Sequence, residues 1–175
     1  QFRKLPKSVK RAVVKPMNTL RLQRVHRLQT PEVLILYVLD SCNLRCKHCF
    51  YWKEVDNPRA THSLEELEKL AKSLKEPLEL LTLTGGEPFL RKDLAEIVDV
   101  FVKHAGVKRI HIASNGFTSS LIVKKVKDML AVCSDARLTL QFSLDGFEEI
   151  HDRLRGRKGS FRNVCESARA VNAIK

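Results

Sequence analysis

The amino-acid sequence predicts an α/β fold built on a parallel sheet. Three features indicate this: an apolar segment at 33–39, later segments of strand character, and an amphipathic helical segment after each of them. A repeated strand-helix order requires crossover connections, which are right-handed and make neighbouring strands parallel. Two architectures fit this pattern, an open doubly wound sheet and part of a barrel.

The first strand is predicted at 33–39, whose residues are apolar without interruption, as is typical of a strand buried on both faces. The helix after it begins at Ser63, because Ser63 and Glu66 have the spacing of a capping box. Apolar residues then recur at helical intervals, and the helix is expected to end before Pro77.

Three further strands are predicted at 78–84, 109–114 and 138–144. The helices that follow them are expected to begin near Asp93, among residues 118–120, and after a capping Ser160. The helix that begins near Asp93 ends at Gly106, as a glycine past a helix commonly indicates. The last helix is expected to bury one face, formed by Phe161, Val164, Ala168 and Val171.

The formal charge of +12 is concentrated at the amino terminus, where every charged residue before Glu32 is basic. We therefore divide the chain into a basic arm, 1–32, and a core domain, 33–175. Such an arm is commonly a solvated or weakly ordered segment. The alternative is a surface for nucleic acid, anionic lipid or an acidic partner, and of these nucleic acid is retained as a partner that the arm could bind.

The chain has five cysteines, and three of them lie within residues 42–49. An odd number with this crowding suits a metal site in a reducing compartment better than a disulfide framework. No apolar run approaches the roughly 20 residues of a membrane span, and no secretory signal precedes the core. We expect a cytoplasmic protein in which Cys133 and Cys165 are packed hydrophobic residues.

The first predicted strand is followed by Cys42, Cys46 and Cys49 in a C-x3-C-x2-C arrangement. Three thiolates on one short loop can bind one face of a cubane iron-sulfur cluster, leaving one iron open to a small molecule. The alternative is a zinc site with His48 as the fourth ligand. It is disfavoured because adjacent His48 and Cys49 side chains do not readily point at one tetrahedral ion.

The other strands are followed by the short polar segments Gly85-Gly86-Glu87-Pro88, Ser114-Asn115-Gly116 and Ser143-Leu144-Asp145-Gly146. Paired glycines let the backbone approach a ligand, Glu87 offers a carboxylate to an ammonium group, and the polar side chains suit ribose hydroxyls. Each segment by itself is most often a turn. At consecutive strand ends of a parallel sheet they meet at one edge, where ligands bind.

These motifs, in this order, resemble the radical S-adenosylmethionine (SAM) superfamily, from Val33 to the end of the chain. The segments 143–147 and 151–156 are similar to the branch that contains peptide-modifying maturases, sulfatase-activating enzymes and the molybdenum-cofactor cyclase. The resemblance implies a partial TIM-like (β/α) barrel. About four of six strand-helix units are present, so the chain looks truncated.

The resemblance also implies the cofactors, a [4Fe-4S] cluster and SAM. Cys42, Cys46 and Cys49 are the implied catalytic ligands of three irons, and the fourth iron would bind the methionine amino and carboxylate groups. His48 would contact the adenine, and Arg153 or Arg155 the carboxylate. The residues implied to surround SAM are His48, Gly85, Gly86, Glu87, Asn115, Ser143, Asp145 and Arg155.

The implied function is reductive cleavage of SAM to a 5'-deoxyadenosyl radical that abstracts hydrogen from a peptide or small metabolite. An external one-electron reductant is then a required partner. Two alternatives remain: a non-catalytic iron-sulfur protein that binds nucleic acid through the basic arm, and an RNA-modifying member of the same superfamily.

Overall fold

The structure is a computed structural model that describes residues 27–53, 61–133 and 136–174, together with 19, 22 and 55. Four strands form one sheet in the order β1-β2-β3-β4, and each neighbouring pair is parallel. The strands are β1 Val33–Leu39, β2 Leu80–Gly85, β3 Arg109–Ser114 and β4 Arg137–Phe142. The predicted parallel α/β fold is confirmed; among the described residues the sheet is open, with β1 and β4 at its two edges.

Within the described part of the chain, five α-helices follow the strands: α1 Leu64–Ser73, α2 Leu94–Ala105, α3 Ser119–Val132, α4 Glu148–Arg155 and α5 Ser160–Asn172. The capping box of α1 is confirmed, because the Ser63 hydroxyl accepts the Glu66 N–H while the Glu66 carboxylate accepts the Ser63 N–H. Helix α2 ends at Gly106, which adopts a left-handed conformation with φ 53°. A single 3-10 turn, Pro88–Leu90, lies between β2 and α2.

The start of α5 differs from the prediction. Its N-cap is Gly159, and Ser160 is instead a buried first residue whose hydroxyl donates to the carbonyl of Arg157 at 2.6 Å. The buried face runs through Ser160, Val164 and Ser167, while Ala168 is exposed. Ser167 tolerates burial because its hydroxyl donates to the Gly116 carbonyl at 2.7 Å.

Helices α1, α2 and α3 cover one face of the sheet with a continuous apolar core. The other face of β1 is open, since Val33, Ile35 and Tyr37 are 51%, 60% and 53% exposed. The prediction that β1 is buried on both faces was therefore wrong. Its physical reason is the open sheet, in which helices pack against one side only and leave the alternate side chains of β1 uncovered.

Most of the predicted basic arm, residues 1–18, 20, 21 and 23–26, lies outside the described residues. Its last residues contact the core, because the N–H groups of Gln29 and Thr30 both donate to the Glu76 carboxylate. Within the described ranges, no helix combines the length and apolar character needed to cross a bilayer.

Candidate active site

A cavity of about 280 Å³ opens at the carboxyl edge of the sheet, where the segments that follow all four strands meet. Of the predicted site residues, all except Glu87 and Asp145 line it. The predicted residues on its wall are Cys42, Cys46, His48, Cys49, Gly85, Gly86, Asn115, Ser143 and Arg155. Thr84 of β2 and Ala113 of β3 also contribute to the wall. The fold therefore brings together at one place residues that are far apart in the sequence, from Cys42 to Arg155.

The cysteines lie on a loop, residues 42–49, that contains no helix or strand. Leu44 is buried and anchors the loop to the interior, and the Cys49 N–H closes a tight turn on the Cys46 carbonyl at 3.1 Å. All three cysteines are unpaired thiols of intermediate burial. We call residues 42–49 the cysteine loop.

Two of the three sulfur atoms accept hydrogen bonds. Cys42 Sγ lies 3.5 Å from the Leu44 N–H and 3.7 Å from Asn115 Nδ2, and Cys46 Sγ lies 3.6 Å from Arg155 Nη1. Burial raises the pKa of the Cys42 thiol, while the two donors act in the opposite direction. Donors of this kind orient metal-binding thiolates and tune the bound metal.

The donor set fits an iron-sulfur cluster held by three thiolates, with hydrogen bonds from Asn115 and Arg155 to the ligand atoms. The zinc alternative requires His48 and the cysteines to converge on one ion. Nowhere in the described ranges do three His, Cys, Asp or Glu side chains come together around one point, as a single closed ion requires. A cubane spreads its ligands over separate irons, so its thiols need not converge on one atom.

Gly85 and Gly86 pack directly against residues 39–41, which lead from β1 into the cysteine loop. A Cβ on Gly85 would lie 2.3 Å from the Leu39 carbonyl oxygen, and one on Gly86 would lie 2.2 Å from that of Ser41. The Gly86 N–H donates to Leu39 at 2.7 Å, and the Glu87 N–H to Ser41 at 2.9 Å. The sequence predicted close backbone approach to a ligand; in the structure these glycines also allow close approach to the neighbouring strand end.

Glu87 lies behind the cavity wall and is 3% exposed. Its carboxylate accepts the Ser114 hydroxyl at 2.8 Å, the Asn115 N–H at 2.8 Å and the Phe89 N–H at 3.3 Å. Burial raises its pKa, and these hydrogen bonds act against that rise. The side chain therefore joins the segments that follow β2 and β3. Sequence reasoning missed this role because a buried carboxylate is recognised only from its tertiary partners.

Asp145 pairs with Arg155, with 2.6 Å between Oδ2 and Nε in an ion pair that is not aligned as a hydrogen bond. The His48 Nε2 atom lies 3.9 Å from the same carboxylate oxygen, and the Asp145 N–H donates to His151 Nδ1 at 3.2 Å. His151 is fully buried, and burial followed by the nearby guanidinium lowers its pKa. Asp145 thus orients Arg155, which itself reaches the cavity.

Three aromatic residues directly after the last cysteine form the lip of the cavity: Phe50, Tyr51 and Trp52. Phe50 and Trp52 are 85% and 54% exposed, so their rings are available to a bound molecule. Tyr51 and Trp52 therefore lie at the cavity beside the cysteine loop. Cys133 is buried in the core, and Cys165, on α5, is not part of the cavity wall.

Two curated proteins are similar in sequence to this chain. It is 32% identical over 133 residues to the antilisterial bacteriocin subtilosin biosynthesis protein AlbA of Bacillus subtilis, covering 75% of the chain and 28% of AlbA. It is 30% identical over 99 residues to a GTP 3',8-cyclase of Pectobacterium atrosepticum, covering 54% of the chain and 30% of the cyclase. The chain thus spans less than a third of the length of either curated relative.

A solved structure has the same fold. Native anSMEcpe with bound AdoMet and Cp18Cys peptide superposes with a TM-score of 0.58 at 23% identity, covering 80% of this chain and 39% of that one. The match fits the expectation of a partial TIM-like barrel, of which four strand-helix units are present here.

Family membership follows from a sequence model that covers most of the chain. The model described as the Radical SAM superfamily matches residues 36–175, which include the cysteine loop and all the other predicted site residues. The superfamily uses a [4Fe-4S] cluster and SAM, and the members of it that are related to this chain are enzymes. The chain therefore belongs to the radical SAM superfamily.

Proposed function

We propose that this chain forms part of the catalytic core of a radical SAM enzyme that abstracts hydrogen from a peptide substrate. The observation that carries the proposal is the convergence of three free thiols with Gly86, Asn115, Ser143 and Arg155 on one cavity. When bound, the [4Fe-4S] cluster supplies the electron that cleaves SAM reductively into methionine and a 5'-deoxyadenosyl radical.

In this proposal the residues of the chain bind the cluster and SAM and orient them. Cys42, Cys46 and Cys49 hold the cluster, and Asn115 and Arg155 donate hydrogen bonds to its ligand atoms. Arg155, which is cationic and lines the cavity, is the candidate partner of the methionine carboxylate; Arg153, the other candidate from the sequence, is exposed on α4 and is not on the cavity wall. His48 and Ser143 remain candidates for the adenine and the ribose.

The substrate would lie on the open face of the sheet beside the cavity. Tyr37 of β1 is aligned with Thr84, which lines the cavity, so the exposed residues of β1 continue the cavity wall. Residues that the strand register aligns across the sheet form a row. Ala113 and Gln141 share the row of Tyr37 and Thr84, and the next row contains Ile35, Thr82, His111 and Thr139. A substrate held there would place its hydrogen next to the cofactor, with water excluded by the aromatic lip.

A peptide fits this face better than a nucleoside triphosphate. The two rows nearest the cavity contain no Lys or Arg among the described residues and mix apolar and polar side chains, while Arg109 and Arg137 lie one row further away. A triphosphate requires cationic partners, whereas such a surface accommodates peptide side chains. AlbA, named for bacteriocin biosynthesis, and anSMEcpe, solved with a peptide, support this assignment, while the GTP 3',8-cyclase marks the alternative.

The proposal is tested by reconstituting the chain anaerobically with iron and sulfide, then adding SAM and dithionite and measuring 5'-deoxyadenosine. Replacing Cys42, Cys46 or Cys49 by Ala is expected to abolish product and reduce bound iron. The matched control is Cys165→Ala, a cysteine outside the cavity wall, which should leave both unchanged. Product formation that survives loss of any of the three cysteines would exclude the proposed ligand set.

A further inference from the structure

We infer that the corner between α4 and α5, residues 154–157, is a clamp that holds the cysteine loop in the conformation needed to bind its cluster. The inference rests on the proposed ligation by Cys42, Cys46 and Cys49. In this inference Arg155 and Arg157 are positioning residues, and position 156 must be a glycine because a side chain there would not fit. The predicted motifs at the four strand ends do not account for this corner.

Three hydrogen bonds join the corner to the cysteine loop. The Lys47 N–H donates to the Leu154 carbonyl at 2.8 Å, and Arg157 Nη1 donates to the Asn43 carbonyl at 3.0 Å. Between them, Arg155 Nη1 contacts Cys46 Sγ at 3.6 Å. The corner therefore contacts residues 43, 46 and 47, on both sides of the central cysteine.

Gly156 lies directly against the backbone of the cysteine loop. It has φ +70°, and a Cβ placed on it would lie 2.3 Å from the carbonyl oxygen of Arg45. The obstructing atom belongs to the backbone of the cysteine loop, so a side chain could be accommodated only by moving the loop away. The clamp can close only because this position has no side chain.

The corner is itself held firmly by bonds that do not involve the cysteine loop. The Asp152 carboxylate accepts the Gly159 N–H at 2.6 Å and the Phe161 N–H at 2.8 Å. The Arg157 N–H donates to the Asp152 carbonyl at 3.1 Å, and the Arg157 guanidinium lies 4.0 Å from the centre of the Phe117 ring. A corner fixed by its own hydrogen bonds can therefore hold the cysteine loop in one position.

The cysteine loop needs such support because none of residues 42–49 belongs to a helix or a strand. Binding a cubane requires three thiols in position at once, and any freedom of the loop must be lost on binding. Contacts that already fix residues 43, 46 and 47 reduce that loss. The clamp is thus expected to raise the affinity of the loop for its cluster.

The chain provides a matched control for Gly156. Gly159 lies in the same turn region with a similar φ of +85°, but a Cβ on it would have no atom within 4 Å. Gly156→Ala and Gly159→Ala impose the same kind of backbone strain, and only the first pushes on the cysteine loop. Comparing the two separates the clamp from ordinary loss of stability.

The first measurement is hydrogen exchange at the Lys47 amide in the cluster-free chain. Gly156→Ala should accelerate exchange there about tenfold or more, whereas Gly159→Ala should leave it within about twofold of the unchanged chain. Equal exchange in the two variants would overturn the inference. Because no cluster is present, this result is independent of the proposed function.

The second measurement is iron and sulfide bound per chain after anaerobic reconstitution. Gly156→Ala should retain less than about half of the iron of Gly159→Ala at limiting iron, because the clamp is open. If Gly156→Ala fails to fold, Arg157→Ala replaces it, with the exposed Arg153→Ala as its control. If a variant and its control bind equal amounts of iron, the clamp is contradicted. If the Lys47 amide of the unchanged chain is protected from exchange but no chain binds iron, only the proposed function is contradicted.

Discussion

The carboxylate of Glu87 accepts the N–H of Asn115 at 2.8 Å, which ties the segment after β2 to the segment after β3. Asn115 in turn donates through Nδ2 to Asn43 at 2.8 Å and contacts Cys42 Sγ at 3.7 Å. A buried carboxylate thus connects through one amide residue to the first cysteine. The geometry of the cavity wall depends on a residue that does not line it.

Replacing Glu87 by Gln should destabilise the fold by about 1–3 kcal/mol. The carboxylate accepts hydrogen bonds from both the Asn115 N–H and the Ser114 hydroxyl. The side-chain amide of Gln has one oxygen, so its NH2 group faces one of these two donors and that hydrogen bond is lost. Urea denaturation at pH 7 measures the loss. A variant as stable as the unchanged chain would show that these bonds contribute little.

The stability difference between the unchanged chain and Glu87→Gln should depend on pH. Burial raises the pKa of Glu87 in the folded chain above 4.5, its value when unfolded. The folded state then binds the proton more tightly, so this group's contribution is most favourable below pH 4.5 and declines as the pH rises through the folded pKa. Glu87→Gln lacks this decline, and the advantage of the unchanged chain should therefore shrink from pH 4.5 to pH 7. An advantage that grows over that interval contradicts the raised pKa.

Gly85→Ala should cost about 1–3 kcal/mol more than Gly146→Ala. Both glycines have strongly positive φ, 140° and 150°. A Cβ at Gly85 meets the Leu39 carbonyl at 2.3 Å, while one at Gly146 meets only the Ile150 side chain, at 3.2 Å. Thermal or urea unfolding of the pair measures the difference, and equal losses would show that backbone strain alone accounts for the cost.

Arg155→Gln should weaken SAM binding about tenfold or more, while Arg153→Gln should change it less than about twofold. Arg155 lines the cavity and pairs with Asp145, whereas Arg153 is exposed. Anaerobic calorimetry on the reconstituted chain gives the dissociation constants. The opposite ranking would move the carboxylate partner to Arg153.

The elements with strong local signals were predicted well. The capping box at Ser63 and the left-handed Gly106 are local features, and β1 and β3 have the predicted ends. Strands β2 and β4 differ from their predicted ends by one or two residues. Alternation of apolar residues reports which side chains face the helices.

Helix α4 was not predicted, because it has only two apolar residues, Ile150 and Leu154, and the residues it buries are His151 and Arg155. Their burial depends on partners far along the chain, such as Asp145 and Cys46. The same holds for Glu87 and Gly156, whose roles arise from contacts with other loops. Motif order predicted the residues that line the cavity, and tertiary packing determines the residues that support them.

The central claim is that three thiols of this chain bind a cluster with one iron open to SAM. Its most direct test is electron-nuclear double resonance on the reconstituted, reduced chain mixed with SAM labelled with ¹⁵N in its amino group. The account predicts a ¹⁵N coupling to the cluster spin that is absent in unlabelled samples. A cluster signal unchanged by SAM, or a fourth cysteine bound to the cluster, would contradict it.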